Sequence, residues 1–372
     1  MKKIIFLIIM MFSLSGCYNY SEMNELAIIS ALGVDYEDET FKTHAQVVEF
    51  KDGKENFVTF SSEGKTIYES LRNLSKYSSK RMYISHLEIL ILSENVFRDH
   101  NYDVIDFFSN YPESGLNYFV VVSEESPEEF IKTSTPLNTL SSNSIVEMIK
   151  LNNKYESFAN VITFDEYIDD YISKGKSLIV PRLHITSYKP SEEKKEEKVI
   201  EIKDLIIVNT DKEVNYLNEN ESIGYSLLTN KGKRFILTIP CPNGQYTIEL
   251  KSFKTSIEPK NNNTFSIDVS SFGTVGSYDC ELTNEKKIEE FIVNSTEEEI
   301  NKIINETINL SKKNKTDFIG LGNILYAKKY RYFNKIQDDW ENKYLEKIKF
   351  NITTKVSTNK LGNLKSTLKG SD

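Results

Sequence analysis

The chain has 372 residues and a formal net charge of −9, and it contains three cysteines, four histidines and one tryptophan. Its acidic balance argues against a nucleic-acid-binding protein, and its length is sufficient for two or three domains with cores of their own. Tyrosine and phenylalanine, 21 of each, supply side chains that favour β-strands.

The first residues have the layout of an export signal. Met1, Lys2 and Lys3 are followed by an apolar run over residues 4–14 and then by Leu14-Ser15-Gly16-Cys17. The run is about half of the roughly 20 residues that a membrane-spanning helix requires. We therefore predict that residues 1–16 are a cleaved signal peptide.

The Leu-Ser-Gly-Cys tetrapeptide resembles the lipobox of bacterial lipoproteins, in which the cysteine sulfur receives a diacylglyceryl group. This predicts that Cys17 is lipidated and is the first residue of the mature protein; the alternative is an ordinary signal peptide with a chance cysteine. Two acyl chains hold a protein stably on a bilayer. Loss of residues 1–16 removes two lysines and no acid, so the net charge changes from −9 to −11, and the lipid must supply the attachment.

The first half of the mature chain is predicted to mix strands and helices. Residues 26–35 indicate a buried strand that runs into a turn at Asp38 and Glu39, and alternation over residues 41–47 predicts a second strand in a hairpin with it. A helix is predicted over residues 66–80, and strands over 86–92 and 117–123. Ser126-Pro127-Glu128-Glu129 is typical of a helix start.

Residues 189–198 contain no apolar side chain. A solvated hairpin loop and an interdomain linker both fit this pattern, and we favour a linker-like boundary.

Beyond this segment, strands are predicted at residues 203–208, 235–240, 246–257 and 348–356. A second capping box, at residues 295–298, predicts the start of a long helix. The expected fold class is α+β, with mixed sheets flanked by helices in two or three domains.

Cys241 and Cys280 are the remaining cysteines. An exported protein can form a disulfide, but spacing alone does not show proximity, so two unpaired, partly buried thiols are the default expectation.

The chain has no catalytic motif that we can identify. Its histidines, at positions 44, 86, 100 and 184, lack zinc-ligand spacing, and no Gly-x-Ser-x-Gly, phosphate-binding glycine loop or His-Glu-x-x-His is present. We therefore expect no catalytic residue, no metal site, no bound cofactor besides the lipid on Cys17, and no enzymatic activity.

Several stretches resemble the Ger(x)C family of spore germination proteins. Residues 24–35 match the family's Asn-Glu-Leu-Ala segment and its strand ending in Ala-Leu-Gly-Val-Asp. Residues 81–108 match a second region, and Asp317-x-x-Gly320-x-Gly322 before Trp340 matches a third. The resemblance covers almost the whole chain, and the order of the motifs is what identifies the family. Tyr18-Asn19 stands where many members have Trp-Asp, and Ser85 where glycine is common.

The resemblance implies the lipoprotein C subunit of a nutrient germinant receptor, with A- and B-type integral-membrane subunits as partners. It places the subunit on the outer face of the spore inner membrane, through Cys17. It also implies a domain over residues 17–188, which can itself split into two, and a C-terminal α+β domain over residues 199–366. The family has no established catalytic residues.

The resulting hypothesis is a non-enzymatic, lipid-anchored subunit that assembles or couples a germinant receptor. The alternative is a lipid-anchored solute-binding protein for a transporter, which requires a ligand cleft between two lobes. A cell-wall hydrolase is a third interpretation, but it lacks an acid pair or metal ligands.

Overall fold

The structure is a computed structural model, and it describes residues 25–51, 54–133, 141–189, 196–281 and 285–358. Cys17 and the signal peptide lie outside these ranges. Within them the chain forms two sheets flanked by helices, so the predicted α+β class is confirmed.

The larger sheet has nine strands within the described ranges, in the order β3-β2-β1-β5-β6-β7-β8-β9, with β4 paired to β1. Strands β1, β5, β6 and β7 are parallel, whereas the flanking strands are antiparallel. The strands are β1 Leu26–Glu37, β2 Thr40–Lys51, β3 Lys54–Gly64, β4 Arg81–Tyr83, β5 Ile89–Ser93, β6 Phe119–Ser123, β7 Ile179–Tyr188, β8 Glu197–Val208 and β9 Val214–Leu217.

Helices cover both faces of the parallel strands, because those strands are apolar on both sides. One face packs against α1, α2, α3 and α6, and the other against α4 and α5. The helices are α1 Ile67–Asn73, α2 Glu94–Asp99, α3 Asn101–Asn110, α4 Pro127–Lys132, α5 Ser141–Tyr155 and α6 Phe164–Ile172.

The second sheet has the order β10-β11-β12-β13, and its last pair is parallel. Long helices pack on it and on the first sheet. The elements are α7 Glu219–Thr229, β10 Arg234–Cys241, β11 Gly244–Pro259, β12 Thr264–Tyr278, α8 Glu285–Lys313, α9 Leu321–Lys328, α10 Tyr330–Ile336 and β13 Lys349–Thr358, with short helical turns at residues 337–347.

Two local predictions are confirmed. The first hairpin turns at Asp38 and Glu39, which both have positive φ as a two-residue hairpin turn requires. Ser126 caps α4, accepting the N–H of Glu128 at 3.3 Å, with Pro127 at the first helical position.

The preferred interpretation of residues 189–198 as an interdomain linker is wrong. Strands β7 and β8, on either side of this segment, pair along their length from Ile179↔Ile207 to Tyr188↔Glu197. The charged segment therefore joins neighbouring strands of one sheet, as in the hairpin alternative. Whether residues 17–188 and 199–366 fold as separate domains stays a prediction.

One hydrophobic core joins the two sheets. Side chains of the first sheet such as Ile179, Leu205 and Ile207 pack in the same cluster as Phe235, Ile248 and the apolar face of α8. The large sheet is thus covered at this end by the C-terminal half of the chain.

The expectation of two unpaired thiols is also wrong, because Cys241 and Cys280 form a disulfide with a Cα–Cα distance of 5.8 Å. Cys241 ends β10 opposite Gly244, and Tyr278, near the end of β12, pairs with Tyr246 of β11. The three strands therefore bring both cysteines to one end of the sheet.

The capping box predicted at residues 295–298 does not begin a helix, since α8 runs without interruption through it. Ile288 and Ile292 are buried, so packing continues the helix towards its N-terminus. The Ser295 hydroxyl donates to the carbonyl of Phe291 at 2.6 Å, and the Thr296 hydroxyl lies 2.9 Å from that of Tyr246.

No helix among the described residues is both long and apolar enough to span a bilayer.

Candidate functional site

Cys17, the predicted lipidation site, lies outside the described residues, so its modification stays a prediction. The described ranges contain two networks of buried charged side chains and one cleft between the two halves of the chain.

The histidines do not form a centre with one another in the way that a metal site would require. Within the described ranges, one group brings three potential metal ligands within 4.8 Å of one another: Glu124, Glu125 and His184. Each already has a protein partner. Glu124 accepts a hydrogen bond from Lys203 at 2.7 Å, Glu125 accepts the N–H of Ile185 at 3.1 Å, and His184 lies 3.2 Å from Glu201.

The first network surrounds Arg182 on β7, whose side chain is 7% exposed. Its guanidinium binds Asp204 of β8 in a bidentate pair, at 2.8 and 2.6 Å, and donates to Glu94 at 2.7 Å. The ring of Tyr216 stacks on the guanidinium at 3.8 Å, and the Tyr216 hydroxyl donates to Glu94 at 3.1 Å. Three N–H groups of the guanidinium thus donate to carboxylates, and one of its faces packs on an aromatic ring.

The cluster lies at the carboxyl ends of the parallel strands β5 and β6, since Glu94 directly follows β5 and Glu124 directly follows β6. Burial opposes the charge of Arg182, but the hydrogen bonds to Asp204 and Glu94 outweigh it and raise its pKa. Arg182 therefore ties β7, β8, β9 and α2 together as a charged but compensated group.

The second network surrounds Asp317, which is fully buried at the junction of the two halves. One carboxylate oxygen accepts the N–H groups of Gly320 and Leu321 at 2.9 and 3.0 Å. The other accepts the N–H of Gly322 at 2.7 Å and the indole N–H of Trp340 at 2.8 Å. Four neutral donors thus hold one carboxylate, and they explain the Asp-x-x-Gly-x-Gly pattern and its tryptophan.

A second carboxylate continues this network to the first half of the chain. Glu341 accepts the N–H of Asp317 at 2.7 Å, and the hydroxyl of Ser177 donates to the same oxygen. Ser177 in turn donates its N–H to the carbonyl of Asp317 at 2.9 Å. The loop between α6 and β7 is therefore bound directly to residues 317–341.

Two segments of the backbone approach each other closely at Gly175 and Gly322. Asn323 donates its N–H to the carbonyl of Gly175 at 3.0 Å. A Cβ placed on Gly322 would lie 2.6 Å from the Cα of Gly175, and a Cβ on Gly175 would lie 2.4 Å from the backbone nitrogen of Asn323. Glycine is required at both positions because no side chain fits between these two backbone segments.

Both carboxyl groups of the junction titrate above their usual range. Burial raises the pKa of Asp317 to about 6, although the N–H groups of Gly322, Leu321 and Trp340 act in the opposite direction. Burial likewise raises the pKa of Glu341, against the hydrogen bonds from Asp317 and Ser177.

A cleft of 430 Å³ lies beside this junction. Its walls come from α2, the start of α3, the end of α6, the turn between β8 and β9, and Glu341 of the C-terminal half. The charged groups on its walls are mostly paired with each other: Lys176 binds Asp170 at 2.6 Å, and Lys212 binds Asp99 at 3.0 Å. The cleft has the size of a small-molecule site, but both of its lysines are already paired with aspartates.

The sequence identified only part of these networks. Asp317, Gly320, Gly322 and Trp340 were singled out as a motif, whereas Arg182 carried no local signal. Its partners Glu94 and Asp204 are 88 and 22 residues away.

Comparison with known proteins identifies the family. Residues 19–185 match the spore germination protein N-terminal domain, and residues 203–362 match the spore germination B3/GerAC-like C-terminal domain. The chain is 23% identical to spore germination protein KC of Bacillus subtilis (strain 168), over 97% of this chain and 96% of that protein. It is 21% identical to spore germination protein B3 of the same organism, over 93% of this chain and 95% of that protein.

The fold is similar to that of the crystal structure of the GerBC protein, with a TM-score of 0.55 at 18% identity, over 88% of this chain and 96% of that chain. Because the two family domains follow one another in order over most of the sequence, the chain belongs to the Ger(x)C family of spore germination proteins.

Proposed function

We propose that this protein is the lipid-anchored C subunit of a spore nutrient germinant receptor. In this proposal Cys17 carries a diacylglyceryl group and holds the two-sheet body on the outer face of the spore inner membrane. The body then assembles with integral-membrane A- and B-type subunits and couples them to nutrient-triggered germination.

The observation that carries the proposal is the ordered match of both germination-protein domains over residues 19–362. The match begins two residues after Cys17, so the family's N-terminal domain directly follows the predicted lipid attachment. Confinement to a bilayer raises the effective concentration of a subunit near membrane partners, which is the physical benefit of such an anchor.

Replacement of Cys17 tests the anchor. A strain lacking the gene is complemented with wild type or with Cys17→Ala, and membranes and germination are compared at equal protein levels. We expect wild type in the membrane fraction, and Cys17→Ala in the soluble fraction with slower germination. An equally expressed Asp338→Asn variant, changed at an exposed side chain, is the control and should behave as wild type. Unchanged membrane retention of Cys17→Ala would contradict the anchor.

The junction cleft keeps the solute-binding alternative testable, because a cleft between two parts of a chain is what that alternative requires. Thermal unfolding with a panel of amino acids and sugars separates the two functions. Specific stabilisation that is lost in Glu341→Gln would favour the alternative, and no stabilisation favours a subunit that acts through protein contacts.

A further inference from the structure

An apolar groove of 510 Å³ lies where the described chain begins. Its floor and walls come from the start of β1, from β2 and β3, and from the turn before β4. Leu26 and Ile28 are partly exposed in it, and Val58 at its edge is 39% exposed.

A turn on one side of this groove is basic and aromatic. Residues 76–81 read Lys-Tyr-Ser-Ser-Lys-Arg, with three cations and no acid in a chain that is acidic overall. Lys76 and Lys80 are exposed and have no ion-pair partner among the described residues. Tyr77 between them is 67% exposed. Among the described residues that line the groove, Glu49 is the one acid, and it lies on the opposite wall.

The pairing of β1 with β4 brings this turn next to the N-terminal tether. The two strands are parallel, and Leu26 lies opposite Arg81. The residues that precede Leu26 and those that precede Arg81 therefore leave the sheet at the same end. Lys80 and Tyr77 lie beside the point at which the chain continues back to Cys17.

The tether is short. Eight residues lie between Cys17 and Leu26, and even a fully extended chain over this stretch spans at most about 30 Å. A lipid on Cys17 would keep this end of the large sheet close to the bilayer. The other end, where α3 begins after the carboxyl end of β5, is directed away from it.

We infer that the groove and the turn at residues 76–81 form the surface that rests on the lipid bilayer. Tyr77 inserts its ring at the headgroup level, as aromatic side chains do at membrane interfaces. Lys76 and Lys80 contact anionic headgroups while their apolar stems remain at the boundary. This orientation rests on the proposed anchor, and it leaves the junction cleft and the opposite end of the sheet free for other contacts.

A tryptophan scan with brominated lipids tests the orientation. The native chain has one tryptophan, Trp340, which is 1% exposed and gives a constant background. Lipidated mature protein carrying Tyr77→Trp is reconstituted in vesicles of phosphatidylcholine and phosphatidylglycerol, with or without bromine on the acyl carbons nearest the ester. We expect the added fluorescence to be lost in the brominated vesicles, because bromine quenches an indole only at short range.

The matched control is Tyr102→Trp. Tyr102 is also 67% exposed, but it lies on α3 at the opposite end of the sheet. Its fluorescence should be the same in both kinds of vesicle. Equal quenching of the two variants, or none in Tyr77→Trp, would overturn the orientation; the latter would indicate that the tether fills the groove itself.

Vesicle flotation separates this inference from the anchor on which it rests. Protein that floats with the vesicles but shows no quenching in Tyr77→Trp leaves the anchor intact and overturns the orientation. Protein that does not float overturns both. Quenching should also increase with the fraction of phosphatidylglycerol, and a lack of dependence would overturn the role given to Lys76 and Lys80.

Discussion

Arg182 and Asp317 are both buried charged side chains, yet the fold holds them in opposite ways. Arg182 is surrounded by charge of the other sign, from Asp204 and Glu94, and by the ring of Tyr216. Asp317 is surrounded by neutral donors, three backbone N–H groups and one indole, and its nearest charged neighbour is another carboxylate, Glu341. The first group is compensated by ion pairs and the second by dipoles alone.

Because the two charges are compensated differently, they should respond differently to a change of pH. The pKa of Arg182 is raised above the already high value of a guanidinium, so this side chain keeps its charge at neutral and mildly acidic pH. The pKa of Asp317 is raised to about 6, so this side chain at the junction between the two halves takes up a proton on mild acidification. The Arg182 cluster is therefore a constant brace within the large sheet, whereas the Asp317 network is a pH-dependent contact between halves.

Removal of Arg182 should have the largest effect. Arg182→Ala leaves Asp204 and Glu94 without their cation in a largely buried place, and loss of one partner of a buried pair costs about 3–5 kcal/mol. Urea unfolding measures the loss. Arg234→Ala, which breaks an exposed pair with Glu249, is the control and should cost under about 1 kcal/mol. Similar losses in both variants would show that Arg182 is not the brace described here.

Replacement of Asp317 should follow in size. An asparagine has one acceptor oxygen in place of two, and its NH₂ group would meet N–H donors, so Asp317→Asn should lose about 2–3 kcal/mol of unfolding free energy at pH 7. The exposed Asp338→Asn, which breaks only the surface pair with Lys174, is the matched control. A neutral result for Asp317→Asn would argue that the glycine turn holds its shape without the carboxylate.

The close approach of the two glycines should be sensitive to one methyl group. Gly322→Ala places a Cβ against Gly175 and the ring of Phe333 and should cost about 1–3 kcal/mol by forcing the two halves apart. Gly115→Ala, where a Cβ meets no atom within 4 Å, controls for the general effect of the substitution. Thermal unfolding compares the two, and equal melting temperatures would contradict a tight junction.

The pH dependence should be the smallest effect and the most specific. The folded-state pKa of Asp317, about 6, lies above its reference value of 3.8, so the native state binds the proton more tightly than the unfolded chain. Its contribution to stability therefore grows as the pH falls through 6 and is lost as the pH rises. The difference in unfolding free energy between wild type and Asp317→Asn should increase by about 1 kcal/mol from pH 7 to pH 5. A difference that shrinks on acidification would contradict the raised pKa.

Local patterns predicted those elements whose causes are local. The turn at Asp38 and Glu39 and the cap at Ser126 depend on a few neighbouring residues and are confirmed. The box at residues 295–298 has the same kind of signal, but burial of Ile288 and Ile292 outweighs it and the helix continues. Capping residues indicate where a helix can start, while packing decides where it does.

Features that depend on distant pairing could not be predicted. The charged segment after β7 fits both the linker that we favoured and a hairpin loop, and only the register of β7 with β8 decides between them. The disulfide required β10, β11 and β12 to bring Cys241 and Cys280 to one end of a sheet. The Arg182 cluster required four elements at once. Strand β12 was missed, although Phe265, Ile267 and Val269 alternate with polar residues in its first half.

The central claim, that the chain works as a membrane-bound receptor subunit, is tested most directly by isolating it with its neighbours. Spore inner membranes carrying an affinity-tagged chain are solubilised in mild detergent, and the proteins retained with it are identified by mass spectrometry. The account predicts that two multi-spanning germination subunits co-purify with wild type in constant proportion. Retention of a transporter alone, or of no membrane protein, would contradict it.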